Sequence, residues 1–219
     1  MATGSTKSRI IHSAIELFNE RRFGAVTTAA LAEHLEMSEG NLWYHFKNKR
    51  ALLRSITELF IPRVEARLNM RPPTNGDVLA SYGEMLFTFN REIEDFRFLY
   101  RDQADYGEHT NLLLSNLPKF FADTFSQFGA FHDALVRAGH MKNDAQQLAS
   151  LTEASIVAFR FHLEFNRERG VRRTDDPGEL SGACDLHLRL FEPLIDARAS
   201  QAIRKQILAR HVAHAKLVA

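Results

Sequence analysis

The chain has 219 residues, of which 45% are apolar and 25% charged, and its formal net charge is +1 at pH 7. These proportions exclude a disordered or fibrous protein. Apolar runs span only a few residues, against the roughly 20 that a transmembrane helix needs. The lone cysteine, Cys184, excludes an internal disulfide and a thiolate metal site. With a polar N-terminus as well, we expect a cytoplasmic protein with no membrane partner.

Basic residues are concentrated in two zones. Residues 41–54 contain four and residues 197–219 contain five, and neither zone contains an acidic residue. Such zones on a nearly neutral chain indicate a restricted anion-binding surface. For the C-terminal zone, a solvated helix or frayed tail is the favoured interpretation.

The first 70 residues show helical spacing of apolar residues, interrupted by capping residues. Ser5 or Thr6 is a cap for a first helix that ends near residues 21–22. The predicted caps of the next three helices are Thr27, Ser38 and Asn48. The fourth helix continues past Pro62, where we expect a bend rather than an end.

The second and third helices are about two turns long and are joined by about four residues, as in a helix-turn-helix unit. Leu42 and Phe46 form the buried side of the third helix. Its other side carries groups that can bind bases or phosphates, with Asn41 able to pair bidentately with adenine. The spacing therefore predicts a recognition helix over residues 39–47.

Three consecutive segments of this region resemble the DNA-binding domain of tetracycline-repressor-like (TetR/AcrR) transcription regulators. They are Ala14-Ile-Glu-Leu-Phe18, Val26-Thr-Thr-Ala-Ala-Leu-Ala-Glu33 and Gly40-Asn-Leu-Trp-Tyr-His-Phe46 followed by Lys49-Arg-Ala-Leu52. The resemblance covers residues 6–60 and implies a DNA-binding role for the following residues: Thr27, Thr28, Ala29, Glu39, Gly40, Asn41, Trp43, Tyr44, His45 and Lys49. Lys49 matches the family's phosphate-contacting lysine.

Three positions depart from the family pattern. Arg22 stands where glycine usually follows the first helix, Asn41 replaces a threonine and Trp43 replaces a tyrosine. The base preference of the family therefore does not transfer to this chain. Trp43 has a second interpretation, as a packing residue.

The rest of the chain also has helical spacing, so we predict an all-α protein. A proline- and glycine-containing break at residues 71–76 separates a DNA-binding domain at 1–50, with a connector helix at 48–70, from a second domain at 74–219. The predicted helices of the second domain cover residues 77–94, 96–106, 110–139, 144–169, 177–198 and 200–215. Pro118 is expected to kink or split the third of them, and Asp176-Pro177 marks the start of the fifth.

Phenylalanines are frequent in the second domain, and they indicate either an ordinary core or an elongated apolar ligand site between helices. The candidate ligand-binding residues are Phe98, Arg101, Phe121, Phe125, Phe128, Phe159 and His162. An apolar or acyl-type effector suits this lining.

The helices at 144–169 and 177–198 are apolar over most of their circumference, which indicates burial on more than one side. A second copy of the pair would form a four-helix interface, and the family resemblance also implies a homodimer. The predicted interface residues are Phe159, Leu163, Leu188, Phe191, Leu194 and Ile195.

The sequence contains no nucleophile elbow, phosphate loop or His-Glu-x-x-His segment, so we predict no enzyme, catalytic residue, cofactor or metal. We predict a ligand-responsive repressor that binds a palindromic operator on double-stranded DNA. A constitutive DNA-binding protein without an effector and a helical small-molecule carrier are the alternatives.

Overall fold

The structure, a computed structural model, describes residues 5–171 and 180–218, with the backbone alone at 107–111, 217 and 218. Within these ranges the only β feature is one isolated bridge between Met141 and Ile195. The predicted all-α class is confirmed. The elements are α1 (Thr6–Arg21), α2 (Thr28–His34), α3 (Glu39–His45), α4 (Lys49–Leu68), α5 (Val78–Asp95), α6 (Arg97–Arg101), a 3-10 helix (Gln103–Thr110), α7 (Asn111–Arg137), α8 (Ala145–Glu168), α9 (Gly182–Phe191) and α10 (Ala197–Val218).

The first four helices begin at the predicted caps. The hydroxyls of Ser5, Thr27 and Ser38 each accept a hydrogen bond from the backbone N–H three residues later, at 3.1–3.3 Å. The Asn48 carboxamide accepts from Ala51 N at 2.8 Å. These local bonds satisfy amides that the first turn of a helix leaves unpaired.

Two prolines lie inside continuous helices. α4 extends through Pro62, so the expectation that the helix does not end there is confirmed. α7 extends through Pro118, and the predicted split is absent. Proline removes one hydrogen bond from the ladder, and in a helix of 27 residues the remaining bonds continue on both sides.

Two predicted helices are wrong in extent. The predicted 96–106 helix is α6, only five residues long, followed by the 3-10 helix. The helix predicted over 177–198 is observed as α9 and the start of α10, separated by a turn at 192–196 that contains Pro193. Asp196 ends this turn and caps α10, since its carboxylate accepts from Ala199 N at 2.8 Å. The Asp176-Pro177 start lies outside the described residues.

The chain divides into two compact units. The first contains residues up to Glu65 together with Glu94–Lys119. Aromatic rings of α1, of the loop after it and of the 94–119 segment pack together in this unit, with Phe18 and Phe98 at a centroid distance of 5.2 Å. The first three helices close around Ile10, Ala14 and Leu42, none of which is exposed.

The second unit contains Ala66–Ile93 and Phe120–Ala219. Its core consists of rings from four helices, including Phe89 against Phe159 at 4.9 Å. α10 belongs to this core, because Ala199, Ile203 and Ile207 are buried. The C-terminal basic zone is therefore a packed helix within its described residues, and the frayed-tail interpretation is wrong for that part.

α5 and α10 approach each other closely at Gly83. A Cβ atom there would lie 2.9 Å from Gln206 Cβ, closer than van der Waals contact allows.

The compact units divide the chain differently from the predicted domains at 1–50 and 74–219, since residues 94–119 pack with the N-terminal helices. The predicted boundaries stay a prediction about functional domains.

Candidate nucleic-acid interface and ligand site

The helix-turn-helix is built on a small apolar interior. Leu31 and Ala32 of α2 are buried, as are Leu42 of α3 and Phe46 directly after it. A hydrogen bond of 2.8 Å from the Thr28 hydroxyl to the Glu39 carboxylate joins the two helices at their N-terminal ends. The bond connects residues eleven positions apart, so it helps to set the angle between α2 and α3.

The outward side of α3 is polar and aromatic. Asn41 is exposed, Tyr44 is 85% exposed, and Trp43 and His45 are half-buried. The Tyr44 and His45 rings contact each other edge to face at 5.3 Å. The predicted recognition residues therefore lie together on one short helix, where a major groove can accommodate them.

The threonines at the start of α2 are already engaged. The Thr27 hydroxyl accepts from Ala30 N, and the Thr28 hydroxyl donates to Glu39. Ala29 is exposed beside them. Thr27 and Thr28 thus define the geometry of α2 in addition to their predicted contact role.

Gly40 lies in the first turn of α3, next to open space. A Cβ atom there would meet only the Ser38 hydroxyl, at 4.0 Å. The fold itself does not require glycine at this position. A close approach by an external partner is a physical reason for its small size.

Lys49 points into the first unit. Its ammonium group donates to the carbonyls of Phe23 and Val26, the latter at 2.6 Å, and lies 4.0 Å from the centroid of the Phe23 ring. Burial lowers its pKa below 10.5, and the Asp105 carboxylate partly opposes this shift. In this conformation the predicted phosphate-contacting residue holds the loop between α1 and α2.

The predicted ligand residues are distributed over both compact units. Phe98 and Arg101 belong to the first unit and the other five to the second. Phe128 and Phe159 are core residues, whereas Phe125 is 38% exposed and Phe121 is half-buried. His162 accepts from the Asn166 amide at 2.8 Å and occupies the space that Gly182 leaves open.

A cavity of about 380 Å³ does lie in the second unit, and sequence analysis missed its polar lining. The lining residues are Met70, Arg71, Ala80, Ser81, Glu84, Phe131, Gln206 and Arg210. Glu84 and Arg210 form an ion pair across it. Because α5 and α10 are more than 100 residues apart, no local pattern in the sequence indicates that they meet.

The second unit also contains a buried chain of hydrogen bonds. The Tyr82 hydroxyl lies 3.0 Å from His132 Nε2 and 2.9 Å from His187 Nε2. Thr152 contacts His132 Nδ1 at 3.4 Å, and Ser155 contacts His187 Nδ1. The sequence offered no signal for this cluster, since its five members lie on four helices.

A single direction of hydrogen-bond donation gives every side chain of this cluster a partner. The Thr152 hydroxyl donates to Leu148 O at 2.7 Å, so it accepts from His132 Nδ1. His132 Nε2 then accepts from Tyr82, whose oxygen accepts from His187 Nε2. Both imidazoles are therefore neutral, and burial lowers the pKa of His132 to about 4 and that of His187 well below 6.5.

Most of the predicted dimer residues are interior. Phe159, Leu188, Phe191, Leu194 and Ile195 are buried within the single chain, and only Leu163 is half-buried. They help to pack α8 and α9 onto their own unit, beside the buried polar residues Thr152, Ser155 and His187 on the same inward sides. These five residues are therefore corrected to core positions.

Other apolar side chains of α8 and α9 face outward. Val157, Phe161, Phe165 and Leu186 are 38–56% exposed, and we call these four residues the outer apolar face. Exposed large apolar residues grouped on packed helices are typical of an interaction site. The interface prediction from the sequence names α8 and α9 but not these outward residues, and it stays a prediction.

Two further properties were tested on the described residues. No group of three or more His, Cys, Asp or Glu side chains there could hold a metal ion. Among the same residues, no helix combines the length and apolarity that crossing a membrane requires.

Two family profiles match the chain. The profile described as "Bacterial regulatory proteins, tetR family" matches residues 10–56, and the one described as "Bacterial transcriptional repressor" matches residues 62–203. The second match covers more than half of the chain.

Individual relatives match mainly in part. The class G tetracycline repressor protein of Vibrio anguillarum is 32% identical over 91 residues, 42% of each chain. The class C tetracycline repressor protein of Escherichia coli is 40% identical over 55 residues, 25% of each chain. These matches thus span less than half of the relatives' length.

A solved TetR-family transcriptional regulator from Marinobacter aquaeolei VT8 shares the fold. It aligns with a TM-score of 0.71 at 20% identity and covers 95% of this chain and 99% of that one. At this identity the likeness concerns the architecture alone.

Proposed function

We propose that this chain, which belongs to the TetR family of bacterial transcriptional regulators, is a homodimeric repressor. The proposed DNA site is a palindromic operator. Members of this family regulate transcription and are not enzymes. The observation that carries the proposal is the outward side of α3, where Asn41, Trp43, Tyr44 and His45 project around a buried Leu42.

The polar groups of this side suit base and phosphate contacts. Asn41 has a donor and an acceptor in one planar group, which matches the major-groove edge of adenine. Lys47 and Arg50 are exposed nearby and bring positive charge toward phosphates. We assign base reading to Asn41 and backbone contacts to the aromatic residues and these cations.

A second copy of the chain is the proposed occupant of the outer apolar face. The TetR family dimerises, and exposed Phe161 and Phe165 lie one helical turn apart on α8. Two-fold pairing of this face would remove both rings from water. The dimer is needed because two recognition helices must bind half-sites about 34–36 Å apart.

The proposed effector site is the cavity of the second unit. Half-buried Met70 and Ala80 offer an apolar surface above the buried Phe131 ring, while Arg71, Glu84 and Arg210 bring charge to the same space. An acyl-type molecule with a polar head suits this mixture better than a wholly apolar one. Binding there would favour a conformation with lower operator affinity, and a coupling of ~1–3 kcal/mol suffices.

The test of DNA binding is selection of operator sequences from fragmented genomic DNA by the purified protein. We expect recovered fragments to share an inverted repeat that footprints symmetrically, with binding that weakens steeply as salt rises. Acyl compounds of graded length would then be titrated against the complex. Fragments without a common sequence would contradict the operator, and a complex insensitive to every effector would support the constitutive alternative.

The test of assembly is a charge in the outer apolar face. Phe161→Asp should yield folded monomers that bind the operator weakly, because a monomer contacts one half-site only. Val212→Asp is the matched control, since Val212 is 38% exposed on α10, outside the proposed interface. Dimers of unchanged mass for Phe161→Asp in sedimentation would contradict the assigned interface.

A further inference from the structure

The loop between α1 and α2, residues 22–27, is held at three backbone atoms. Lys49 donates to the carbonyls of Phe23 and Val26, and the Asp102 carboxylate accepts from Phe23 N at 2.8 Å. These contacts come from the two separate segments of the first unit, Lys49 from the segment that ends at Glu65 and Asp102 from Glu94–Lys119. The loop leads directly into Thr27, the cap of α2.

The carboxylate that holds Phe23 is itself fixed. Asp102 is buried and accepts from Arg101 Nη2 at 2.8 Å. The same guanidinium donates to Phe18 O and Asn19 O, at 2.8 and 3.0 Å. Arg101 thereby bonds Asn19 O in the last turn of α1 and gives Phe18 O, which also accepts from Arg22 N at 3.0 Å, a second donor.

The loop needs such restraint because its backbone is strained. Arg22 has φ 71° and ψ 146°, a combination that only glycine adopts readily. Gly24, two residues on, adds conformational freedom. An unrestrained loop of this composition would let the start of α2 shift relative to α1.

We propose that Asp102 and Lys49 are positioning residues for operator binding: both act through the α1–α2 loop to fix α2, and neither contacts DNA. The inference rests on the proposed DNA-binding function. It assigns Lys49 a role different from the phosphate contact that the family resemblance implies. It also makes a residue outside the helix-turn-helix, Asp102, part of the operator-binding apparatus.

Electrostatics separates positioning from contact. A lysine that neutralises a phosphate adds about one unit to the slope of log affinity against log salt. A lysine that holds a loop leaves that slope unchanged when it is removed. Removal of Asp102 has two opposite effects on DNA binding. Loss of its negative charge alone should strengthen binding, whereas loss of its hydrogen bond to the loop should weaken it.

The experiment measures operator and non-specific DNA affinity over a salt series for the full chain. The variants are Lys49→Met, Asp102→Ala and Asp102→Asn, and Lys47→Met is the control that removes an exposed positive charge nearby. We expect Lys49→Met and Asp102→Ala to weaken operator binding at least about tenfold, with the wild-type salt slope and less effect on non-specific DNA. Asp102→Asn keeps an oxygen that can accept from Phe23 N, although its NH2 group cannot accept from Arg101, so it should restore part of the affinity.

A slope shallower by about one unit for Lys49→Met, with equal loss on all DNA, would overturn the inference. Unchanged or stronger operator binding by Asp102→Ala would overturn it as well. Amide hydrogen exchange at residues 22–28 of the DNA-free protein gives a separate readout. Exchange should accelerate in Asp102→Ala and recover in Asp102→Asn, and unchanged exchange in both variants would overturn the inference. Absence of DNA binding by the wild type would overturn only the proposed function, because the exchange measurement does not depend on DNA.

Discussion

Polar side chains serve opposite purposes at the surface of α3 and inside the second unit. On α3, Asn41 and Tyr44 are exposed and project into solvent. In the second unit, Tyr82, His132 and His187 are almost fully buried, and each bonds another side chain. The first arrangement leaves hydrogen-bonding capacity for a partner, whereas the second uses that capacity to specify packing.

The contrast extends to ion pairs. Arg54 and Glu58 form an exposed pair on α4 at 3.1 Å. Arg67, three turns later on the same helix, is buried and pairs with Glu92 at 2.9 and 3.2 Å while also donating to Thr124 and Gln127. A change at a buried position should therefore affect stability, and a change at an exposed position should affect recognition.

The largest effect is expected at Arg67. Arg67→Met removes the guanidinium and leaves the Glu92 carboxylate buried without it, which should cost about 3–5 kcal/mol of unfolding free energy. Arg54→Met is the matched control and should cost about 1 kcal/mol or less. Denaturant titration followed by circular dichroism measures both, and equal losses would remove the distinction between the two pairs.

The second prediction concerns pH. Burial holds the pKa of His132 at about 4 in the folded chain, against 6.5 for the exposed group, so the unfolded chain binds a proton first as the pH falls. Stability should therefore decrease from pH 6.5 downward, and the contribution of His132 to this loss should reach roughly 3 kcal/mol near pH 4 and level off below it. Unfolding free energies measured between pH 7 and 4 test this.

His132→Gln removes one of the two buried imidazoles and should make that pH profile shallower, with the remaining slope due in part to His187. A wild-type profile already flat between pH 6.5 and 4.5 would show that the buried imidazole takes up its proton without cost. Operator binding, in contrast, should depend on His132 only through stability.

The third prediction concerns Asn41. Asn41→Ala should leave stability nearly unchanged and cost ~1–3 kcal/mol of operator affinity, confined to one base pair per half-site. Asn75→Ala, at an exposed residue of the α4–α5 loop, is the control. Binding to operators with each base pair substituted in turn gives the answer, and uniform loss on all sequences would contradict base reading.

The smallest effect is expected at Gly40, with opposite signs for stability and binding. Gly40→Ala should stabilise α3 by about 0.5–1 kcal/mol, because alanine favours helix and the Cβ meets open space. It should weaken operator binding if DNA approaches the backbone there. Gly129→Ala on α7, also free of neighbours within 4 Å, should give the stability gain alone.

Local signals accounted for much of the fold. The caps at Ser5, Thr27, Ser38 and Asn48 were predicted correctly because each bonds an amide only three residues away. The end of α9 was missed, since Pro193 and the Asp196 cap lay within a continuous apolar pattern. The outward residues of α3 were likewise predicted from spacing alone, although the sequence did not reveal that Lys49 turns inward to the loop carbonyls.

The sequence by itself determined the all-α class, the helix-turn-helix and the family, because helical periodicity, caps and a compact motif are encoded over a few consecutive residues. Only the tertiary structure decided which phenylalanines are core, which side of α8 and α9 stays exposed and which polar groups meet. His132 and His187 are 55 positions apart, and Asp102 reaches a loop 79 residues away. Such partners depend on how helices pack, and periodicity within one helix carries no information about the helix it will face.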